Sequence, residues 1–137
     1  METVNSIKSH PSLESAIEKF VAEGRNSSDT KSIYFIFKYL RDSQVLVPTY
    51  KDPKSGQIYP LLLNNGDLCY MPIFTNDKHL PKNHKDIFPM LSVASFKNAM
   101  LVAKGEASAN HFIINPVTSF LPFKTAFVDD LIEMMED

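Results

Sequence analysis

Apolar residues in the first third of the chain recur with the spacing of two amphipathic helices. Residues 13–21 place large apolar side chains at helical steps, which predicts a helix with Ser12 as its N-cap and Gly24 as its terminator. Residues 31–42 contain a β-prone run at 33–37, yet twelve residues without a turn signal favour a helix. The apolar stripe of this second helix comprises Ile33, Ile36, Phe37 and Leu40.

The middle of the chain alternates short apolar runs with turn residues, which is typical of β-strands joined by hairpins. Strands are predicted at 45–50, 59–63 and 68–74. The turn at 52–56 contains proline and glycine, and the turn at 64–67 contains Asn-Gly, which favours a type I′ turn. Three strands joined by two tight turns predict an antiparallel meander.

The last part of the chain mixes helical and strand patterns. We expect a single capped turn over 76–81, in which the Thr75 hydroxyl can act as the cap, and then a polar loop to Asp86. A short strand is predicted at 87–91, followed by a helix that starts at Ser92 or Ser95. That helix ends at Gly105, strands follow at 111–114 and 120–122, and the C-terminal helix places Phe123, Phe127, Leu131 and Met134 on one stripe.

These elements together predict an α+β fold. The antiparallel meander is extended by further short strands into a mixed sheet, which packs with N-terminal, middle and C-terminal helices. Residues 1–11 are polar and are predicted to be a flexible lead-in, while 12–137 form a single domain.

Composition narrows the class of protein without naming a function. The 137 residues are 44% hydrophobic and 22% charged, which excludes a disordered chain. The well-mixed charge argues against nucleic acid as a partner, and the apolar runs are too short to predict a membrane span. A single cysteine and the lack of a visible signal peptide favour the cytoplasm.

Negative charge is concentrated at the C-terminus. Residues 129–137 contain five acids and no base, so the rest of the chain has 14 bases against 11 acids. This run is either an acidic contact surface for a basic partner or the solvated face of a helix. The helical spacing favours the solvated face.

Candidate catalytic chemistry is sparse. The four glycines all fall at predicted turns or helix ends, so none remains for a phosphate-binding loop. Two histidines, His79 and His84, share a polar loop with Asp77 and Asp86, but histidines five residues apart do not lie on one helix face. We therefore predict an exposed polar loop with no metal and no cofactor, and a half-buried strand position for Cys69.

Three segments follow one another in an order that resembles the SseB protein N-terminal domain family. They are Phe37-Lys38-Tyr39-Leu40 leading to Val45-Leu46-Val47-Pro48, the hairpin from Gly66 to Thr75, and Ile113-Ile114-Asn115-Pro116 with Leu121-Pro122 and a terminal helix. The resemblance implies a compact α+β domain of a bacterial cytoplasm. It brings no established catalytic residue to carry over.

Two functions remain open from the sequence. The first is a non-enzymatic binding or interaction module with a protein partner or self-association, because no catalytic set is assembled. The alternative is a small-molecule sensor or enzyme with a site near the 75–86 loop, and the family label of enhanced serine sensitivity implies a ligand related to amino acids. In both cases the candidate binding residues are Thr75, Asp77, His79, His84 and Asn115.

Overall fold

The computed structural model describes residues 10–24 and 30–136, together with the backbone of Glu2 and Thr3. Most of the predicted lead-in at 1–11, residues 25–29 and Asp137 lie outside these residues. Helix α1 spans Pro11–Ala22 and Gly24 follows it with a φ of +88°, as predicted for the terminator.

The predicted N-cap of α1 is wrong. The cap is His10, whose Nδ1 accepts a hydrogen bond from the Leu13 amide at 3.2 Å. Pro11 already occupies the first helical turn, where its fixed φ suits a helix and its missing N–H costs nothing. Ser12 therefore lies inside the helix.

Four more helices follow in the described ranges. Helix α2 spans Thr30–Arg41, α3 spans His84–Ile87, α4 spans Phe96–Gly105 and α5 spans Val128–Glu136. Ser95 is the N-cap of α4, since its hydroxyl accepts from the Asn98 amide. None of the helices in the described ranges is long and apolar enough to cross a membrane.

The C-terminal stripe and the 81–86 loop require correction. Phe123 belongs to a strand and Phe127 is 51% exposed, while the buried residues of α5 are Val128 and Met135. The difference arises because a 3-10 turn at Thr125–Phe127 precedes α5 and shifts its inward face.

The segment before Met90 also differs from the prediction. The polar loop expected up to Asp86 contains α3, and the strand expected at 87–91 begins only at Met90.

In the part of the chain that the structure describes, eight strands form two four-stranded sheets. In chain order they are β1 (Glu2–Thr3), β2 (Gln44–Lys51), β3 (Ile58–Pro60), β4 (Leu63–Asn65), β5 (Leu68–Ile73), β6 (Met90–Ser95), β7 (His111–Ile114) and β8 (Leu121–Lys124). The first sheet has the order β1-β6-β2-β3 and is antiparallel. The second has the order β4-β5-β7-β8 and is mixed, because β5 and β7 are parallel. The α+β fold with a mixed sheet is confirmed.

The predicted meander is divided between these sheets. The strand expected at 59–63 is two strands, β3 and β4, and the sheets meet where Leu46 and Phe74 exchange two backbone hydrogen bonds of 2.9 Å. The β4–β5 turn also differs from the type I′ prediction. Among its two central residues only Gly66 has a positive φ, which is the φ pattern of a type II′ turn.

Strand β2 is buried on both faces, which explains its continuous apolar run. Val45 and Val47 face the main core under the helices, whereas Leu46 faces a smaller cluster beneath the 77–91 segment. That smaller cluster also contains Phe74, Leu80, Phe88 and Leu91. The segment that carries the candidate binding residues is thus anchored to the sheet by its own apolar core.

Candidate functional site

The parallel pairing of β5 and β7 brings the two strand ends that carry Thr75 and Asn115 to the same edge of the sheet. Ile73 is in register with Ile114, so the residues that follow each strand lie side by side. Thr75 is 2% exposed and Asn115 is fully buried. The polar groups of both side chains therefore need hydrogen-bond partners within the protein.

Asn115 joins the two strand ends through both its side chain and its backbone. Its Oδ1 accepts from the Thr75 amide at 3.0 Å, and its Nδ2 donates to the Thr75 hydroxyl at 3.0 Å. Its carbonyl accepts from the amides of Thr118 and Phe120, which closes the loop after β7. Its φ is +52°, a left-handed conformation that asparagine tolerates better than most residues.

A chain of hydrogen bonds continues from Thr75 toward the surface. The Thr75 hydroxyl donates to Glu14 Oε2 at 2.7 Å, and Glu14 Oε1 contacts His79 Nε2 at 2.5 Å. The other ring nitrogen of His79, Nδ1, lies 2.6 Å from the hydroxyl of Thr118. We call these five residues, Glu14, Thr75, His79, Asn115 and Thr118, the polar network.

The charge of Glu14 is stabilised by this network. Burial alone would raise the pKa of Glu14, but hydrogen bonds from His79 and Thr75 and the charge of His79 outweigh it. The pKa of Glu14 consequently lies below its ordinary value of 4.5. Its carboxylate is ionised at neutral pH and ties α1 to the 3-10 turn at Asp77–His79.

This depressed pKa predicts an acid-dependent loss of stability. A carboxylate whose pKa is lower in the folded state stabilises the fold above its unfolded pKa near 4.5, and that contribution is lost as the pH falls through the folded value. We expect Glu14→Gln to lower the free energy of unfolding by about 1–2 kcal/mol at neutral pH and to flatten its fall below about pH 4.5. Urea unfolding at a series of pH values measures both effects.

The control for this prediction is Glu18→Gln on the next turn of α1, where the side chain is exposed. It should change stability by no more than about 0.5 kcal/mol and leave the acid dependence as in the wild type. An acid dependence of Glu14→Gln equal to that of the wild type would contradict the role assigned to Glu14.

Three of the five candidate binding residues converge and two do not. Thr75, His79 and Asn115 belong to the polar network, whereas Asp77 is exposed and His84 hydrogen-bonds the Pro81 carbonyl within its own turn. The cap of the 77–79 turn is also not Thr75. Asn76 caps it by accepting from the Lys78 amide at 2.8 Å, while the Thr75 hydroxyl is turned to Glu14.

Two members of the network were missed in the sequence. They are Glu14 and Thr118, which are not among the candidate binding residues that the sequence predicts. In the part of the chain that the structure describes, no group of three or more His, Cys, Asp or Glu could hold a metal ion.

A second feature is a groove between α1 and α2 with a volume of about 430 Å³. We call it the α1–α2 groove. It is lined by Pro11, Ser12, Ser15, Ala16 and Lys19 from α1 and by Ser32, Phe35 and Tyr39 from α2. The first wall follows one helical stripe with the spacing 12, 15, 16 and 19, and the second follows 32, 35 and 39.

The α1–α2 groove combines an exposed aromatic ring with positive charge. Phe35 is 44% exposed although it is a large apolar residue. Lys19 is the single charged residue of the lining, and α2 carries Lys31, Lys38 and Arg41 but no acid. Glu14, which precedes Ser15 in sequence, is turned away to His79, while Glu18 is exposed beside Lys19 on α1.

The polar network and nearly all of the α1–α2 groove lie in the part of the chain that matches a known protein family. A family model described as the SseB protein N-terminal domain matches residues 13–132. The chain belongs to this family. The match starts at the first buried leucine of α1 and ends within α5, so nearly all of both features lies inside the SseB N-terminal domain. A comparison with curated proteins and one with solved structures returned no match.

Other surfaces of this SseB N-terminal domain are explained by the fold. The acidic residues of α5 are partly paired, since Glu136 contacts Lys97 and Asp129 contacts Lys104 on α4. Such exposed pairs contribute less than about 1 kcal/mol each. Cys69 is half-buried in β5, as predicted.

Proposed function

We propose that this SseB N-terminal domain is a non-enzymatic binding module of a bacterial cytoplasm, and that its α1–α2 groove receives a protein partner. The observation that carries the proposal is the exposure of Phe35 inside a groove. A few anchor residues supply most of the binding energy at protein interfaces, aromatic side chains are prominent among them, and a groove lets a partner surround them. The single domain over residues 12–137 is part of the same proposal.

The polar network is the weaker candidate for a binding surface. Thr75 and Asn115 are almost completely buried, and in the described part of the chain no buried side-chain nitrogen or oxygen lacks a hydrogen-bond partner. A ligand there would have to replace hydrogen bonds that are already made. The network is better suited to holding α1, one wall of the groove, on the sheet.

The test is partner capture with matched variants. We expect the wild-type domain to recover a defined protein from a bacterial lysate, or to self-associate in sedimentation, and we expect Phe35→Ser to lose that interaction. The control is Phe127→Ser, since Phe127 is similarly exposed at 51% but lies in the 3-10 turn before α5. Equal capture by both variants, or no interaction by the wild type, would refute the proposal.

A second function is favoured by one specific observation, the order carboxylate–imidazole–hydroxyl in Glu14, His79 and Thr118. In the tautomer that carries the ring proton on Nε2, facing Glu14, Nδ1 can accept the proton of the Thr118 hydroxyl, which is the arrangement of an activated nucleophile. The Thr118 oxygen would attack an ester carbonyl, and His79 would return the proton to the departing alcohol. Water would then hydrolyse the acyl-threonine.

An activated ester such as p-nitrophenyl acetate tests this alternative. It predicts release of nitrophenolate above the buffer rate, abolished equally by Thr118→Val and by His79→Gln. Hydrolysis that persists in Thr118→Val would exclude it, and so would the absence of hydrolysis by the wild type.

A further inference from the structure

We infer that the occupant of the α1–α2 groove is an acidic amphipathic helix of a partner protein. This inference rests on the proposed function and names the chemistry of the partner. It is carried by three properties of the groove, namely its open shape, the small side chains in its lining and its positive charge.

The shape of the groove favours a macromolecular segment over a small molecule. Small ligands bury most of their surface in their site. Here Phe35 is 44% exposed, and the side chains of Ser12, Ser15 and Lys19 on the opposite wall are also exposed. A segment that belongs to a larger partner does not need such enclosure, because the rest of the partner contributes to binding.

The residues of the groove are suited to a helix. The lining runs over about two helical turns from Ser12 to Lys19, which is roughly 10 Å at 1.5 Å per residue. Serine and alanine side chains at positions 15, 16 and 32 are small and let a third helix approach closely. Phe35 and Tyr39 lie four residues apart on the other wall, so apolar residues at i and i+3 or i+4 of the partner can pack on both rings.

The charge of the groove selects an acidic partner. Lys31 lies four residues before Phe35 and Lys38 three residues after it, on the same side of α2 as that ring. The Lys38 ammonium lies over the Tyr34 ring, 5.1 Å from its centre. Lys19 adds a third positive charge on the opposite wall. Acidic residues flanking the apolar anchors of the partner would face these lysines, and the attraction would weaken with salt.

The experiment is selection from a phage-displayed library of random peptides of about 12 residues, with counter-selection on Phe35→Ser. We expect enriched peptides to carry net negative charge and apolar pairs at i and i+3 or i+4. A labelled enriched peptide should bind about 10-fold more weakly to Phe35→Ser and to the double variant Lys19→Glu/Lys31→Glu. Its binding to Phe127→Ser should match the wild type within about 2-fold.

The outcomes separate this inference from the proposed function. Enriched peptides that are neutral or basic, peptides without helical spacing, or no enrichment at all would overturn the acidic-helix inference. If Phe35→Ser still abolished capture of a protein partner, the proposed function would stand without it. A second copy of this chain as the occupant would appear as a dimer in sedimentation that Phe35→Ser dissociates, and that result would also overturn the inference.

Discussion

Replacing Asn115 by alanine is expected to lower the free energy of unfolding by about 3 kcal/mol, corresponding to a fall of about 10 °C in Tm. The substitution removes the acceptor of the Thr75 amide, which then lies buried without a partner at a cost of about 1–3 kcal/mol. It also places alanine at a φ of +52°, which adds about 1 kcal/mol of backbone strain.

Two further variants separate these contributions. Asn115→Gly loses the same side chain but accepts the positive φ, so it should be more stable than Asn115→Ala by about 1 kcal/mol. The matched control is Asn110→Ala, because Asn110 stands at the other end of β7 and also bonds backbone groups near β5, but is exposed. It should cost no more than about 1 kcal/mol, since water replaces its hydrogen bonds.

Thermal and urea unfolding of the three variants measure these differences. Equal stability of Asn115→Ala and Asn110→Ala would show that burial of the Asn115 network contributes nothing. Equal stability of Asn115→Ala and Asn115→Gly would show that the positive φ is not strained.

The helices were predictable because their signals are local. The apolar stripes of α2 and α4 and the terminating Gly24 can be identified from neighbouring residues alone. The cap of α1 failed for a local reason as well, since a histidine can accept an amide hydrogen bond through Nδ1 but is rarely chosen over serine.

The candidate site was only partly predictable because its contacts are remote in sequence. Thr75 and Asn115 could be proposed as strand ends, but their contact depends on the parallel pairing of β5 with β7, which no turn signal encodes. Glu14 and His79 are 65 residues apart. Their contact follows from the packing of α1 on the sheet rather than from any local pattern.

The α1–α2 groove has a signal in the sequence, the aromatic content of α2. The buried stripe of helix α2 contains Ile36, Phe37 and Leu40. The helix carries three further aromatic residues outside that stripe, Tyr34, Phe35 and Tyr39. A helix with an aromatic excess of this kind has either two buried faces or one exposed aromatic surface. The structure distinguishes these cases, because Phe37 is fully buried and Phe35 is 44% exposed.

Replacing Phe112 by alanine should cause the largest loss of stability, about 3–5 kcal/mol. Phe112 is fully buried in β7, where its ring stacks on Phe123 at 5.6 Å and meets the edge of Phe96 at 6.1 Å. The substitution removes this contact area and leaves a cavity that the sheet cannot close, because β5 and β8 hold β7 on both sides.

Phe127→Ala is the control, because Phe127 is 51% exposed and should cost no more than about 1 kcal/mol. Urea unfolding at neutral pH compares the two alanine variants, and Phe112→Leu should recover most of the loss by refilling the cavity. A loss below about 1 kcal/mol for Phe112→Ala would contradict the packing of this core.

Peptide binding should separate Phe112 from Phe35. Because Phe112 lies away from the groove lining, the folded fraction of Phe112→Ala should bind the selected peptide as the wild type does. Phe35→Ser, by contrast, should lose binding with little change in stability. Opposite behaviour of the two variants would mean that the exposed ring stabilises the fold and that the groove is not its binding surface.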